Sequence, residues 1–423
     1  MPSCATRPVA VRSTSSPSGP GGRTKCWSSE CRIREAPVPD ARTVIVLGGG
    51  VGGVIAAREL RRGLPRPHHV VLVDRERLHL FAPSLLWLMV GRREAAAIQR
   101  PLARLERKGI DVRIGEVERI DPVARRVTLA GGKTLDAGYL VVSLGAELDT
   151  AAIPGLSQAG HNFYTLPGAE AFRDALATLR AGRIVVMTAA PAYKCPAAPY
   201  EAAMLVDAFC RKRGHRDAVQ IDVYAAEPAP MGVAGPEVSG AVKRLLADKG
   251  IAYHPEHQVT AADATTRRLS FANGAVAEFD LLAYVPPHRP PRAVRDSGLV
   301  AESGWVSVDR HTLETRFPGV YAIGDIVSIP LTLGKPLPKA GVFAHGEAEI
   351  VAKNIVHAIT GAGTPRRFNG HGECFIEIGD GKAGWGGGNF YAEPKPEVTL
   401  RMPSWRSHMS KVLLEKSWLY TKL

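Results

Sequence analysis

Tyr193-Lys194-Cys195-Pro196 sets a thiol between a cation and a proline, and no other residue set in this sequence is better suited to attack a substrate. A helical pattern opens at the proline, a residue that the first helical turn accepts readily. Lys194 and the positive end of that helix would both favour thiolate over thiol, and the thiolate is the nucleophile. The opposing reading makes Cys195 a small buried hydrophobe, a common fate for cysteine, but it does not account for the Lys-Cys-Pro setting. Cys210 falls deeper in the same helical pattern, where packing is its expected role. Cys374 stands near the start of a strand pair with a glycine-rich bend, residues 368–388.

A reactive sulfur needs a frame, and the frame begins far upstream. Thr43-Val-Ile-Val-Leu47 is a β-branched run, followed by a glycine cluster and a helical pattern through Leu60. Gly48, Gly50 and Gly53 have the spacing of a dinucleotide-binding turn: a tight exit from the strand, close backbone approach to a pyrophosphate, and close packing of the helix on the sheet. The helix start offers free N–H groups to phosphate. Val70-Val-Leu-Val-Asp74 then reads as a second buried strand, ending in an acid at the interval expected for a ribose contact.

Further along, Phe81-Ala-Pro-Ser-Leu85, with Pro83 and Ser84, either lines the far end of an extended cofactor or packs the core. The segments 109–114 and 126–129, with Gly131-Gly132, predict a strand and a hairpin, and Tyr139 to Gly145 a buried strand ending in a small-residue turn. A second α/β unit starts near Ala169, with Arg183-Ile-Val-Val-Met187 as its first parallel strand. There the second glycine turn is missing. Prolines and larger side chains occupy residues 188–201, so this unit is expected not to hold NAD(P)H in the usual way. Asn273-Gly274 marks a tight hairpin. Asp280 to Arg289 reads as a strand leaving the second unit and the Pro-rich segment after it as a hinge back to the first; His288 could touch a ligand, although a solvated loop residue is the commoner fate of such a histidine. Val320-Tyr-Ala-Ile-Gly324-Asp325 ends in a carboxylate and backbone N–H suited to a polyol chain. Lys339 leads a long helix whose N-terminus could stabilise negative charge on a reduced ring.

Composition narrows the classes. A chain of 423 residues with 45% hydrophobic residues has room for two or three cores. Its 54 Lys plus Arg against 41 Asp plus Glu give a charge of +13, yet no basic run interleaved with aromatics suggests nucleic acid. Six cysteines in such a length form neither a disulfide scaffold nor a zinc site. No apolar run is long enough for a membrane span, and no secretory signal opens the chain. Residues 1–41, rich in Ser, Pro, Gly and Arg, read as a dispensable tail, although a targeting peptide or an overlong start has the same composition. Trp405 to Leu423 mixes Leu413, Leu414, Trp418, Leu419 and Tyr420 with Arg406, Lys411, Lys416 and Lys422, which suits a membrane interface or a partner subunit.

Taken together, these motifs resemble the two-dinucleotide-fold flavoproteins, and within them the sulfide:quinone oxidoreductases and the flavoprotein subunit of flavocytochrome c sulfide dehydrogenase. The glycine turn with Asp74 and Ile323-Gly-Asp325 carry the superfamily. Phe81-to-Leu85, Tyr193-to-Glu201, Pro338-Lys-Ala-Gly341 and Gly372-Glu-Cys-Phe375 carry the narrower likeness. The resemblance implies an α/β chain of two Rossmann-like domains with a C-terminal interface segment. FAD would lie across the first domain, and Cys195 and Cys374 would form a redox pair on one face of its ring. Sulfide would attack that pair, Glu201 would carry a proton, and a quinone would take the electrons at a peripheral membrane site on an inner membrane of bacterial type. Cofactor contacts are implied for Gly48, Gly50, Gly53 and Asp74, for Pro83, Ser84, Val117 and Gly145, and for Gly324, Asp325 and Lys339. The implied division is tail 1–41, FAD-binding 42–152 and 291–362, degenerate second domain 153–290, and C-terminal domain 363–423. The chain departs from many of these quinone reductases in lacking a third cysteine, since 161–165 reads His-Asn-Phe-Tyr-Thr. This leaves cytochrome c as an alternative acceptor. A type II NADH:quinone reductase and a non-enzymatic flavin redox sensor are the competing classes.

Overall fold

The computed structural model describes residues 41–423, so Cys4, Cys26, Cys31 and nearly all of the expected tail lie outside the described residues. From Thr43 the chain runs through β1 (Thr43–Leu47), α1 (Val51–Gly63), β2 (His69–Asp74), β3 (Asp111–Ile114) and β4 (Tyr139–Val142). A second set follows: β5 (His161–Asn162), β6 (Gly182–Thr188), α2 (Ala198–Lys212), β7 (Val219–Ala225), β8 (Ile251–His254) and β9 (Leu281–Val285). The chain then returns to the first set with β10 (Val320–Ala322) and α3 (Gly341–Thr360).

The strands order themselves as β10-β4-β1-β2-β3 and as β5-β9-β6-β7-β8, and every pairing in both sheets is parallel. Parallel strands covered on both faces read as unbroken apolar runs; accordingly Val44 to Leu47 and Leu281 to Val285 are buried throughout. In each sheet the chain moves outward from one strand and later comes back on its other side. Such a switch point opens a crevice at the carboxyl ends of the strands. The first lies between β1 and β4, below the glycine turn, and the second between β6 and β9, below the cysteine loop.

Antiparallel hairpins decorate both units. Val117 opens the strand Val117–Asp121 and pairs with Leu129, while Arg268–Phe271 and Val276–Glu278 flank Asn273-Gly274. The segment after Asp74 forms a short strand, a 3-10 turn (Ala82–Ser84) and one helical turn (Leu85–Leu88), and Leu85 to Met89 pack into the core of the second unit. The chain closes with an antiparallel sheet, β11 (His371–Gly379), β12 (Lys382–Asn389) and β13 (Glu397–Ser404), and with α4 (Trp405–Ser417). Among the described residues no helix is long and apolar enough to cross a membrane.

Candidate active site

The glycine turn is a cradle that side chains would destroy. Gly48 has φ +100°, and a Cβ there would lie 2.2 Å from the Ser143 carbonyl oxygen on β4. A Cβ on Gly53 would lie 1.7 Å from the carbonyl oxygen of Gly48, locking helix to turn. Gly50, the N-cap of α1, faces open space within 4 Å, which leaves its surface free for a ligand. The Gly49 N–H donates to Asp74 Oδ2, while Asp74 Oδ1 accepts from Glu76 N at 2.7 Å. Each carboxylate oxygen keeps a lone pair for a ribose hydroxyl. Gly145, beyond β4, also faces open space, at φ +66°. Pro83 is exposed, but Ser84 is fully buried and donates to Glu415 Oε1 at 2.6 Å, so its hydroxyl is engaged by the C-terminal helix.

Behind the cradle lies a cluster of buried charge. The Lys339 ammonium donates to the carbonyls of Asp325 and Val327, both at 2.8 Å, and sits 3.5 Å over the Trp305 ring. Burial lowers its pKa to about 8. Lys339 stands two residues ahead of α3 rather than in its first turn, and its charge is directed to the Gly324-Asp325 bend. Burial also raises Asp325, against the attraction of Lys194 and Lys339, and raises Glu347 to about 7 although Glu347 Oε2 accepts from Gly324 N at 2.6 Å. His288 is not solvated: burial pulls it down to about 3, Nδ1 lies 2.8 Å from the Pro286 carbonyl, and Nε2 is buried without a partner among the described residues. A pyrophosphate cradle, a ribose acid and a buried nitrogen near Lys339 without a partner among the described residues fit an extended dinucleotide.

Cys195 and Cys374 come together on one cavity of about 290 Å³, lined mostly by apolar groups that include Tyr193, Leu337, Phe343 and Leu400. Both are free thiols among the described residues, and each is partly buried. The helix expected at Pro196 instead begins at Ala198, so Cys195 precedes it by a turn. Cys195 adopts φ +51°, a left-handed conformation costing about 1–3 kcal/mol for a side-chain-bearing residue. Three contacts hold it there: its N–H donates to the Lys339 carbonyl at 2.6 Å, and its own carbonyl accepts from Ala198 N at 2.9 Å and Tyr164 Oη at 3.1 Å.

At Cys195 burial outweighs the activation expected from Lys194 and a helix end. Burial, then the Cys374 thiolate and Glu201, pushes the Cys195 thiol well up; burial and Glu201 push Cys374 up to about 11. The charge of Lys194 bears instead on Asp325 and His288, lowering both. The cation that favours both thiolates is Lys411, carried in by α4 and 7% exposed. Its ammonium donates to Glu201 Oε1 at 2.8 Å, and the same oxygen accepts from Glu377 N at 2.6 Å. Glu377 Oε1 lies 2.8 Å from His408 Nδ1. Burial raises Glu201 despite Lys411; the two glutamates raise Lys411 despite its burial.

The C-terminal segment is thus partly corrected: Lys411, Trp418 and Leu419 are interior. Glu415, fully buried, takes two hydrogen bonds from Arg93 at 2.9 Å and one from Ser84. Its i, i+3, i+7 stripe of His408, Lys411 and Glu415 faces inward, while Trp405, Met409 and Leu413 at i, i+4, i+8 are exposed. That inverted stripe was the sequence signal for the inward-facing charges.

At the second crevice, side chains of the unit itself engage the acid that follows β7. Glu227, two residues past β7, accepts from Thr188 Oγ1 at 2.8 Å, Tyr193 Oη at 2.5 Å and Tyr200 Oη at 2.7 Å. An acid just past the second strand would, in a nucleotide site, meet ribose; here it anchors the cysteine loop. Sequence reading missed Glu227, although its place in the second unit parallels that of Asp74 in the first.

Two parallel α/β units, a flavin cradle and a cysteine-lined cavity define a FAD-dependent oxidoreductase. The family described as pyridine nucleotide-disulphide oxidoreductase matches residues 42–348, and the chain belongs to it. It is 29% identical over 401 residues to a sulfide-quinone reductase of Aquifex aeolicus, covering 90% of this chain and 91% of that one. With the mitochondrial sulfide:quinone oxidoreductase of Dictyostelium discoideum it shares 24% identity over 349 residues, 79% of this chain and 74% of that protein. The crystal structure of the Aquifex aeolicus sulfide:quinone oxidoreductase superposes with a TM-score of 0.81 at 25% identity, over 90% of this chain and 91% of the other.

Proposed function

We propose that this protein oxidises sulfide at the Cys195/Cys374 pair and passes the electrons through FAD to a quinone. The observation that carries the reading is the shared cavity, which joins two cysteines 179 positions apart (374 − 195) beside the Lys339 backbone. Hydrosulfide attacks one sulfur of the oxidised pair, a new S–S bond forms, and the other sulfur leaves as thiolate next to Lys411. The apolar wall keeps water from the persulfide, while burial holds resting thiols protonated. When bound, FAD accepts an electron pair and relays it onward.

Similarity to the sulfide:quinone oxidoreductases supports the acceptor class. So does α4: its exposed ridge of Trp405, Met409 and Leu413, preceded by exposed Met402 and flanked by Arg401, Arg406 and Lys416, suits an anionic bilayer surface where quinones reside. The missing second glycine turn, and a Glu227 already engaged by Thr188, Tyr193 and Tyr200, argue against NADH as donor. The test is anaerobic addition of sulfide to the purified flavoprotein, followed by a quinone analogue or cytochrome c. Sulfide should bleach the flavin and the quinone analogue restore its colour. Cys195→Ala and Cys374→Ser proteins should keep the flavin but lose sulfide-dependent bleaching by about a thousandfold or more. Wild-type turnover by both variants refutes the reading.

A further inference from the structure

Two carboxylates and one ammonium share the interior behind the cysteines. Glu201 of α2 is 2% exposed, Glu377 of β11 is 0% exposed and Lys411 of α4 is 7% exposed. The groups facing them are Cys195 on the loop before α2, Cys374 on β11 and His408 on α4. One cation against two carboxylates leaves an uncompensated negative charge, which is costly in a low-dielectric interior. One proton removes it, carried either by the carboxyl pair or by His408, whose Nδ1 touches Glu377 at 2.8 Å. Of these four side chains His408 is the one with substantial access to solvent, at 19% against 9% or less for the others. Glu377 Oε2 is buried and has no hydrogen-bond partner among the described residues.

Glu201 is the proton carrier that the family resemblance implies; the geometry points to Glu377, whose N–H donates to Glu201 Oε1, as sharing the proton that leaves the sulfur substrate, and to His408 as its passage to solvent. This inference rests on the sulfide chemistry proposed above. When hydrosulfide attacks the oxidised cysteine pair, the S–S bond to the substrate forms and the bond between the cysteines breaks. The substrate sulfur is oxidised, and the leaving cysteine sulfur takes the electron pair. The hydrogen brought in on hydrosulfide then departs from the persulfide as a proton, and Glu201, the carboxyl of the pair that is coupled to both cysteines, is the first acceptor. His408 returns the store to its starting state. Lys411 is a positioning residue: it holds Glu201 Oε1 and fixes how many protons the pair binds.

The experiment is stopped-flow bleaching of the flavin by sulfide, without oxygen, in wild type, His408→Asn and Glu377→Gln at pH 7, with and without added imidazole. His408→Asn should slow bleaching at least about tenfold, and imidazole should restore most of the rate. Glu377→Gln should be slowed to a similar degree and not be restored, because the carboxyl store itself is lost. A His408→Asn protein that bleaches at the wild-type rate, or is slow and unresponsive to imidazole, overturns the inference. If His408→Asn cannot retain flavin, Glu377→Gln decides: slow bleaching supports the store and an unchanged rate overturns it. Failure of sulfide to bleach the wild-type flavin is a different result, and it removes the underlying sulfide reading.

Discussion

Trp418 is where the last turn of the chain takes hold of the flavin cradle, and replacing it tests that hold. Its ring is 4% exposed, and Nε1–H donates to His79 Nε2 at 2.8 Å. His79, 3% exposed, therefore carries its proton on Nδ1 and donates it to the Gly49 carbonyl at 2.8 Å, inside the glycine turn. Burial lowers the pKa of His79, keeping the imidazole neutral and this chain of donors intact. Trp418→Phe retains most of the packing but leaves His79 Nε2 unsatisfied, a cost of about 1–2 kcal/mol. Trp418→Ala adds the loss of a large buried ring, about 3–5 kcal/mol before the terminal turn relaxes into the gap. Because His79 reaches the turn itself, the Phe variant should weaken FAD binding roughly 5- to 30-fold, the equivalent of that 1–2 kcal/mol. The assay is FAD binding by quenching of flavin fluorescence, with thermal unfolding in parallel. A Trp418→Phe protein that binds FAD like wild type, while Trp418→Ala merely melts earlier, would show that Trp418 only packs.

Two further outcomes follow from the same coordinates. Gly53→Ala places a methyl group 1.7 Å from the Gly48 carbonyl oxygen, so the turn must open; the purified protein should lack the flavin band near 450 nm while keeping its far-ultraviolet circular dichroism. Glu347, raised to about 7 by burial, contributes stability that is present in full below the ordinary glutamate pKa and is lost as pH rises through 7. Glu347→Gln should therefore flatten the fall in melting temperature between pH 4.5 and 7, and an unchanged slope would refute the assignment.

Much of the frame was legible because its rules are local. A run such as Val44 to Leu47 has to be buried on both faces, and Gly48, Gly50 and Gly53 follow from what a backbone must do to turn and approach a phosphate. The absence of a second glycine turn was equally plain, since prolines and bulky side chains at 188–201 cannot make that approach. Local reasoning failed at Cys195. Adjacency suggested Lys194 as the activating cation and Pro196 as a helix start. A charge next door in sequence can act elsewhere, and that of Lys194 bears on Asp325 and His288.

Sequence alone therefore determined the two nucleotide-type units, the one intact cradle and the candidate sulfurs, all properties of short-range pattern and backbone sterics. Tertiary structure decided which groups surround those sulfurs: Cys374 from the late sheet, Glu201 from α2, and Lys411 and His408 from a terminal helix that turns its charged stripe inward. Electrostatics between residues 210 positions apart depends on distances set by packing, as with Glu201 and Lys411 at 2.8 Å, and no spacing in the chain encodes it.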